Sequence, residues 1–178
     1  MNKLEEIKSK MQEIATLKQG LVDQLKQDFF PIVKPLFDKL PEVIKTIGWI
    51  QYTPYFNDGD ECRFSVHCDI DYGIRINRGY LDDLEDEDGE DVKLFGSSLY
   101  AMRHFGTDRY AEWVEKYPED KINEETKERD LEIYNTLKEF SDLIYSIDAD
   151  ILKDLFEDHS EIIVHRNGTV ETEEYDHD

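Results

Sequence analysis

The chain has 178 residues with 43 acidic and 21 basic side chains, which gives a formal net charge of −22. A surface this negative repels phosphate backbones and anionic lipid, so the composition excludes direct binding to nucleic acid or membranes and favours a basic protein partner. Hydrophobic residues make up 39% of the chain, which is enough to build the core of one domain spanning residues 1–178.

The first predicted element is a long helix over residues 2–28. Its apolar residues recur at steps of three and four, with charged and amide side chains between them. This apolar stripe consists of Leu4, Ile7, Met11, Ile14, Leu17, Leu21 and Leu25. We expect the stripe to pack on the protein's own core, as most such stripes do. The alternative is a coiled-coil seam that pairs residues 4–25 of two copies into a homodimer, with Lys18 interrupting the heptad.

The next stretch is punctuated by Pro31, Pro35 and Pro41 but is too apolar for a loop. We interpret it as a second, short helix over residues 31–46. Proline suits the first turn of a helix, whereas an interior proline removes a hydrogen bond and clashes with the preceding turn.

The β part is predicted to be a three-stranded antiparallel meander over residues 48–77. The sequence Asn57-Asp58-Gly59-Asp60 is a strong turn signal between its first two strands. In the second strand, Cys62 and Cys68 lie at alternate positions that share one face, and His67 lies on the other face. Both thiols are therefore expected to be buried on the apolar face rather than to bind a metal with that histidine.

A run of acidic residues follows the meander. Eight of the eleven residues 81–91 are acidic: Asp82, Asp83, Glu85, Asp86, Glu87, Asp88, Glu90 and Asp91. Such a block repels itself, so the sequence predicts a loop. The EF-hand pattern does not fit it, because Gly89 at the sixth loop position would place Leu84 at the first.

The C-terminal third completes an α+β fold in which the long N- and C-terminal helices pack on one face of the meander. Thr107 or Asp108 is predicted to cap a short helix. A longer helical pattern spans residues 120–158, with an apolar stripe that includes Ile147 and Ile151. A hairpin is expected over residues 160–174, with Asn167-Gly168 in a type I′ turn, and residues 175–178 are expected to fray.

Two surfaces are candidates for binding. The eight acids of residues 81–91 would attract a basic partner, and Trp49, Tyr52 and Tyr55 would supply its strongest contacts if they are exposed. On the polar face of the meander, Arg63, His67 and Arg75 could form an anion-binding patch, although they could equally neutralise nearby acids.

No catalytic signature is present. The sequence has neither the glycine pattern of a hydrolase elbow nor a phosphate-binding loop, and we predict no cofactor and no metal site. The enzyme alternative is a metal-assisted site built from Asp58, Asp60, His67 and Asp69 near the turns of the meander. The first residues carry acids where the apolar part of a signal peptide would begin, and no apolar run could cross a bilayer, so the protein is expected to be cytoplasmic.

The segment Tyr52-Thr53-Pro54-Tyr55-Phe56-Asn57-Asp58-Gly59-Asp60, together with the acidic composition, resembles small acidic phage-encoded accessory proteins. Some members of that group act against host defence by mimicking DNA. The resemblance implies a non-enzymatic inhibitor that occupies the nucleic-acid groove of a host protein, and it supplies no catalytic residue.

Overall fold

A computed structural model describes residues 3–56, 59, 61–80 and 95–176. Five α-helices lie in this part of the chain: α1 (Lys3–Lys39), α2 (Leu99–His104), α3 (Asp108–Lys116), α4 (Lys127–Ser146) and α5 (Ala149–Phe156). The six strands are β1 (Thr46–Tyr52), β2 (Ser65–His67), β3 (Arg75–Ile76), β4 (Gly79–Tyr80), β5 (Ser160–His165) and β6 (Val170–Glu174). The α+β class predicted from the sequence is confirmed.

The six strands form one antiparallel sheet, in which five follow the order β4-β3-β1-β5-β6 and β2 pairs with β1 outside that order. Strand β1 is central, because β5 pairs along one side while β2 and β3 share the other: Tyr52 lies opposite Ser65, and Gly48 lies opposite Arg75. The predicted meander is therefore wrong in its order. Residues 69–73 form a turn instead of a strand, with the Asp69 carbonyl accepting from the amides of Gly73 and Ile74.

The core lies between the helices and one face of the sheet. Trp49 is fully buried at its centre, with ring centroids 5.8 Å from Phe29, 6.1 Å from Phe140 and 5.4 Å from Phe156. These contacts join α1, α4 and α5 to β1. Burying several large aromatic rings in one cluster supplies much of the hydrophobic stabilisation of a domain this size.

Helix α1 is continuous through Pro31 and Pro35, so the separate helix predicted at 31–46 is wrong. An interior proline costs about 3 kcal/mol because it removes an intrahelical donor. Here the same turns bury Phe29, Val33, Leu36 and Phe37, and that burial outweighs the cost.

The chain after α1 is fixed by Arg166, from the β5–β6 turn. Its guanidinium donates to the carbonyl oxygens of Leu40, Pro41 and Ile44 at 2.7–3.0 Å. These residues lie beyond the end of α1, so Arg166 supplies donors that the helix does not, and the Pro41 carbonyl also accepts from the Ile44 amide.

The helical pattern at 120–158 is divided into α4 and α5. Helix α4 ends at Ser146, and the Asp148 carboxylate accepts from the Asp150 amide to begin α5. Aspartate is a strong N-cap, and this turn is what breaks the predicted single helix. Thr107 caps α3 as the sequence predicts, since its hydroxyl accepts from the Tyr110 amide.

The C-terminal hairpin is confirmed, but its turn differs from the prediction. The loop has three residues, Arg166 to Gly168, and of these only Gly168 has a positive φ, at 102°. This is the three-residue type closed by a glycine bulge, not type I′. Tyr175, predicted to fray, is held by a hydrogen bond from its amide to the His159 carbonyl.

Only one of the two cysteines is buried. Cys68 is fully buried, whereas Cys62 precedes the short strand β2 and is half-buried. The burial of Cys68 raises the pKa of its thiol well above the ordinary value.

Candidate interaction surface on the N-terminal helix

The apolar stripe of α1 is exposed. Five of its residues, Ile7, Met11, Ile14, Leu17 and Leu21, have 50–66% of their surface accessible, and Leu4 has 57%. Every residue from Lys3 to Leu21 is exposed, and Val22 is the first buried residue of the helix. The expectation that the stripe packs on the protein's own core is therefore wrong. Residues 3–21 are called the N-terminal arm below.

A helix in this situation gains little stability from the rest of the fold. An isolated helix of about 12–15 residues is marginal in water, because most helical stability in proteins comes from packing an apolar face. Gly20 adds a cost of about 1 kcal/mol relative to alanine. A partner that covered the long apolar face of the arm would therefore stabilise its helix.

The C-terminal part of the stripe borders a groove of about 620 Å³ between α1 and α5. Its apolar walls are Ile14, Leu17, Leu21 and Leu25 from α1 and Ile151 from α5. We call this the α1–α5 groove. Because its lining is mainly aliphatic and it opens to solvent, it is shaped to accept aliphatic side chains rather than a polar ligand.

The rim of the groove carries charge. Lys18 forms an ion pair with Asp154 of α5, and the hydrogen bond and charge of that carboxylate raise the pKa of Lys18, with a smaller contribution from Asp150. This pair links α5 to the arm. It also turns the Lys18 ammonium, which interrupts the heptad, towards α5.

The arm differs in charge from the rest of the protein. Residues 3–20 contain four lysines and three glutamates, a net charge of +1, which leaves −23 for the remainder. Lys3, Lys8 and Lys10 flank the stripe, whereas Glu5, Glu6 and Glu13 lie further round the helix.

The aromatic residues predicted to contact a partner are placed differently. Trp49 is completely buried, so its predicted role as a contact is wrong. Tyr52 is half-buried and stacks on His67 with centroids 4.7 Å apart. Tyr55 remains exposed and stacks on His159 at 4.6 Å.

The three residues of the predicted anion patch have separate surroundings. Arg63 precedes β2 and pairs with Glu61 at 3.1 Å, and Arg75 pairs with Glu161 at 3.1 Å. His67 and Arg75 do share a face of the sheet, but carboxylates neutralise both arginines. The two arginines therefore neutralise nearby acids, which was the alternative to an anion-binding patch.

Other candidates are only partly visible. The acids Asp82 to Asp91, and Asp58 and Asp60 of the enzyme alternative, lie outside the described residues. Asp69 accepts the Tyr72 amide within its turn, and the Ser65 hydroxyl lies 2.9 Å from His67 Nε2. Within the described ranges no three His, Cys, Asp or Glu side chains are grouped to hold a metal ion.

Sequence reasoning missed the second wall of the groove. Ile151 belongs to the same periodic stripe as the buried Leu152 and Leu155, and nothing in its spacing marks it as 36% exposed. The break before α5 at Ile147-Asp148 rotates Ile151 out of the core. An Asp-capped interruption in a long helical pattern was the available signal.

Comparisons with known proteins add no relationship, since no family model, curated protein or solved structure matches this chain. In the described part of the chain, no helix combines the length and apolar character needed to span a membrane.

Proposed function

We propose that this protein is a non-enzymatic association protein that assembles with a second copy of itself through the apolar stripe of helix α1. The observation that carries this proposal is the exposure of Ile7, Met11, Ile14, Leu17 and Leu21 on one face of a single helix. Ile7, Met11, Ile14 and Leu21 keep the heptad spacing that pairs helices, although Lys18 interrupts it and Leu17 lies beside it. Contiguous exposed apolar patches mark interaction surfaces.

The energetics are consistent with a reversible assembly. Each of these half-exposed aliphatic side chains gains about 1–2 kcal/mol when it is fully buried. Summed over the ten side chains of two helices, this is about 10–20 kcal/mol, against the roughly 4–15 kcal/mol lost when two molecules associate. We therefore expect an equilibrium between monomer and dimer that depends on protein concentration.

The test changes one residue in the middle of the stripe. Met11→Asp places a carboxylate inside the helix pair, where it has no partner, and we expect the dimer to be lost. Light scattering after size-exclusion chromatography, over a range of protein concentrations, measures the mass.

The matched control is Gln12→Asp, which adds the same charge to the adjacent, exposed position off the stripe. We expect it to dimerise like the wild type. A wild-type chain that remains monomeric at every concentration, or a Gln12→Asp variant as defective as Met11→Asp, would contradict the proposal.

A second candidate function concerns the acidic body rather than the arm. The net charge of −22 supports binding to a basic protein, as in an inhibitor of the phage anti-defence kind that occupies a nucleic-acid groove. Its remaining aromatic contacts are the exposed Tyr55 and the half-buried Tyr52, since Trp49 is buried. The deciding measurement is binding to a nucleic-acid-handling protein across a salt series, with the eight acids of residues 82–91 changed to Asn or Gln.

A further inference from the structure

Lysines flank the N-terminal part of the apolar stripe, whereas aspartates of α5 lie beside the groove at its C-terminal part. This difference in charge bears on the direction in which two arms pair. We propose that the arms pair antiparallel, so that the first turns of one copy lie in the α1–α5 groove of the other. This inference rests on the proposed self-association and assigns the groove as the second half of the same interface.

A parallel pair would bring like charges together. In a parallel two-stranded coil, Lys3 of one helix faces Lys8 of the other on both sides of the seam, and the two Lys18 side chains meet at the centre. It would also place two bodies of charge −23 side by side. Both effects oppose that orientation.

An antiparallel pair removes both conflicts. Matching the heptads in opposite directions places Met11 opposite Ile14 of the second copy, and Leu4 opposite Leu21. Lys18, which already pairs with Asp154 of its own chain, then faces Ile7 rather than another lysine. The two acidic bodies lie at opposite ends of the paired helices.

The same register brings lysines of one copy close to the aspartates of α5 in the other. Lys8 and Lys10 lie at the height of Leu17 and Ala15 of the second copy, within one turn of Lys18, where Asp154 of α5 lines the groove and Asp150 lies close enough to act on Lys18. These lysines flank the stripe on its two sides, so one of them lies on the α5 side. In the single chain Lys10 contacts Glu6 at 3.1 Å, an exposed pair that is readily exchanged for another carboxylate.

The groove also completes the apolar contact. Ile151 extends the aliphatic surface of Leu21 and Leu25 beyond the stripe. The N-terminal aliphatic side chains of the second copy match this surface in size and character. The arm and the groove are therefore complementary in both apolar character and charge.

Cysteine cross-linking tests the orientation in the full chain with Cys62 replaced by serine. Cys68 is buried, so it is retained. We expect Leu4→Cys and Leu21→Cys to form an inter-chain disulfide when the two variants are mixed, and neither to do so alone, because equivalent residues in the antiparallel pair are about 25 Å apart along the axis. Disulfides formed by each variant alone, with none between them, would show a parallel dimer and overturn the inference while leaving self-association intact.

Charge exchange tests the groove separately. We expect Lys8→Glu/Lys10→Glu and Asp150→Lys/Asp154→Lys each to weaken dimerisation at least tenfold, and an equimolar mixture to restore it, because both arm-to-groove contacts of the mixed dimer then join opposite charges. Circular dichroism melting of each variant confirms that the body is folded. Two folded variants that dimerise as tightly as wild type would exclude the groove as part of the interface.

A monomeric wild type would instead remove the proposed function itself. An antiparallel dimer, a parallel dimer and a monomer are therefore distinguished by their mass and by their cross-linking pattern.

Discussion

The two halves of helix α1 share one periodicity and have opposite surroundings. Residues 22–39 bury Val22, Phe29, Val33, Leu36 and Phe37 against the sheet and the other helices, although two prolines interrupt their hydrogen bonding. Residues 3–21 contain no proline and repeat their aliphatic residues more regularly, yet all of them are exposed. Spacing shows that a face is apolar, but the residues elsewhere in the fold decide what covers it.

The composition of the two halves carries part of the difference. The buried half uses phenylalanine, whose large rings reach Trp49 and Phe156 at 5.4–5.8 Å. The arm has no aromatic residue and relies on Ile, Leu and Met. Aliphatic residues at heptad spacing with lysines beside them are typical of helix pairing, whereas aromatic clusters are typical of a domain core.

The largest expected effect is the difference in stability between truncating a residue in the buried half of α1 and truncating one in the arm. Phe29→Ala should lower the free energy of unfolding by about 3–5 kcal/mol, because it leaves a cavity against Trp49 and Phe156. Met11→Ala should change it by less than about 0.5 kcal/mol in the monomer, since the side chain is exposed. Urea unfolding of dilute protein measures both. Equal costs would mean that the arm folds back onto the body in solution.

An intermediate effect should come from acid, and it should act on the body rather than on the arm. Burial of Asp158 works to raise its pKa, but hydrogen bonds from Lys153, the Thr53 hydroxyl and two backbone amides outweigh it and hold the pKa at about 2, below the ordinary 3.8. A lowered pKa in the folded state stabilises it above the ordinary pKa, and that stabilisation is lost as the pH falls from 3.8 towards 2.

We expect this loss to be about 1–2 kcal/mol, after allowing for solvent screening of a partly exposed pair. Urea unfolding at a series of pH values measures it. Asp158→Asn should be less stable at neutral pH and should show a shallower fall in acid. An unchanged acid dependence in Asp158→Asn would assign the effect to other carboxylates.

The smallest effect concerns Gly20, where the arm meets the body. Apart from the neighbouring residues and backbone of its own helix, no atom lies within 4 Å of the position a Cβ would take, so Gly20→Ala should fit without strain and stabilise the helix by about 0.5–1 kcal/mol. Hydrogen exchange of the amides in residues 3–17 should slow in the dilute monomer. At Gly48 the same change would place a Cβ 2.3 Å from the Ile162 carbonyl oxygen, so it serves as the destabilising contrast.

Much of the fold could be predicted from local signals. The Thr107 cap, the C-terminal hairpin and the stripe of α1 all follow from residue types at fixed spacing, and each is present. The α+β class follows from the same patterns.

What could not be predicted depends on long-range packing. The prolines at 31 and 35 break a helix by local rules, and only the burial of the surrounding Phe29 and Phe37 explains why they do not. Likewise the alternation around residue 75 predicts a strand, but not that β3 would pair with β1 instead of β2. The exposure of the stripe and of Ile151 is also a property of the whole fold, and the Asp148 cap before α5 is the one local signal that bears on the α1–α5 groove.

Strand β6 carries acidic side chains on an edge of the sheet. It forms one edge of the sheet and has the sequence Val-Glu-Thr-Glu-Glu, with Glu174 exposed and Glu171 and Glu173 paired to Arg78. An unpaired strand edge is a template for adding further strands, and charged residues on it discourage such growth towards fibres. Three glutamates on this edge make two copies repel each other there, so β6 does not offer an easy route to strand-by-strand fibre growth.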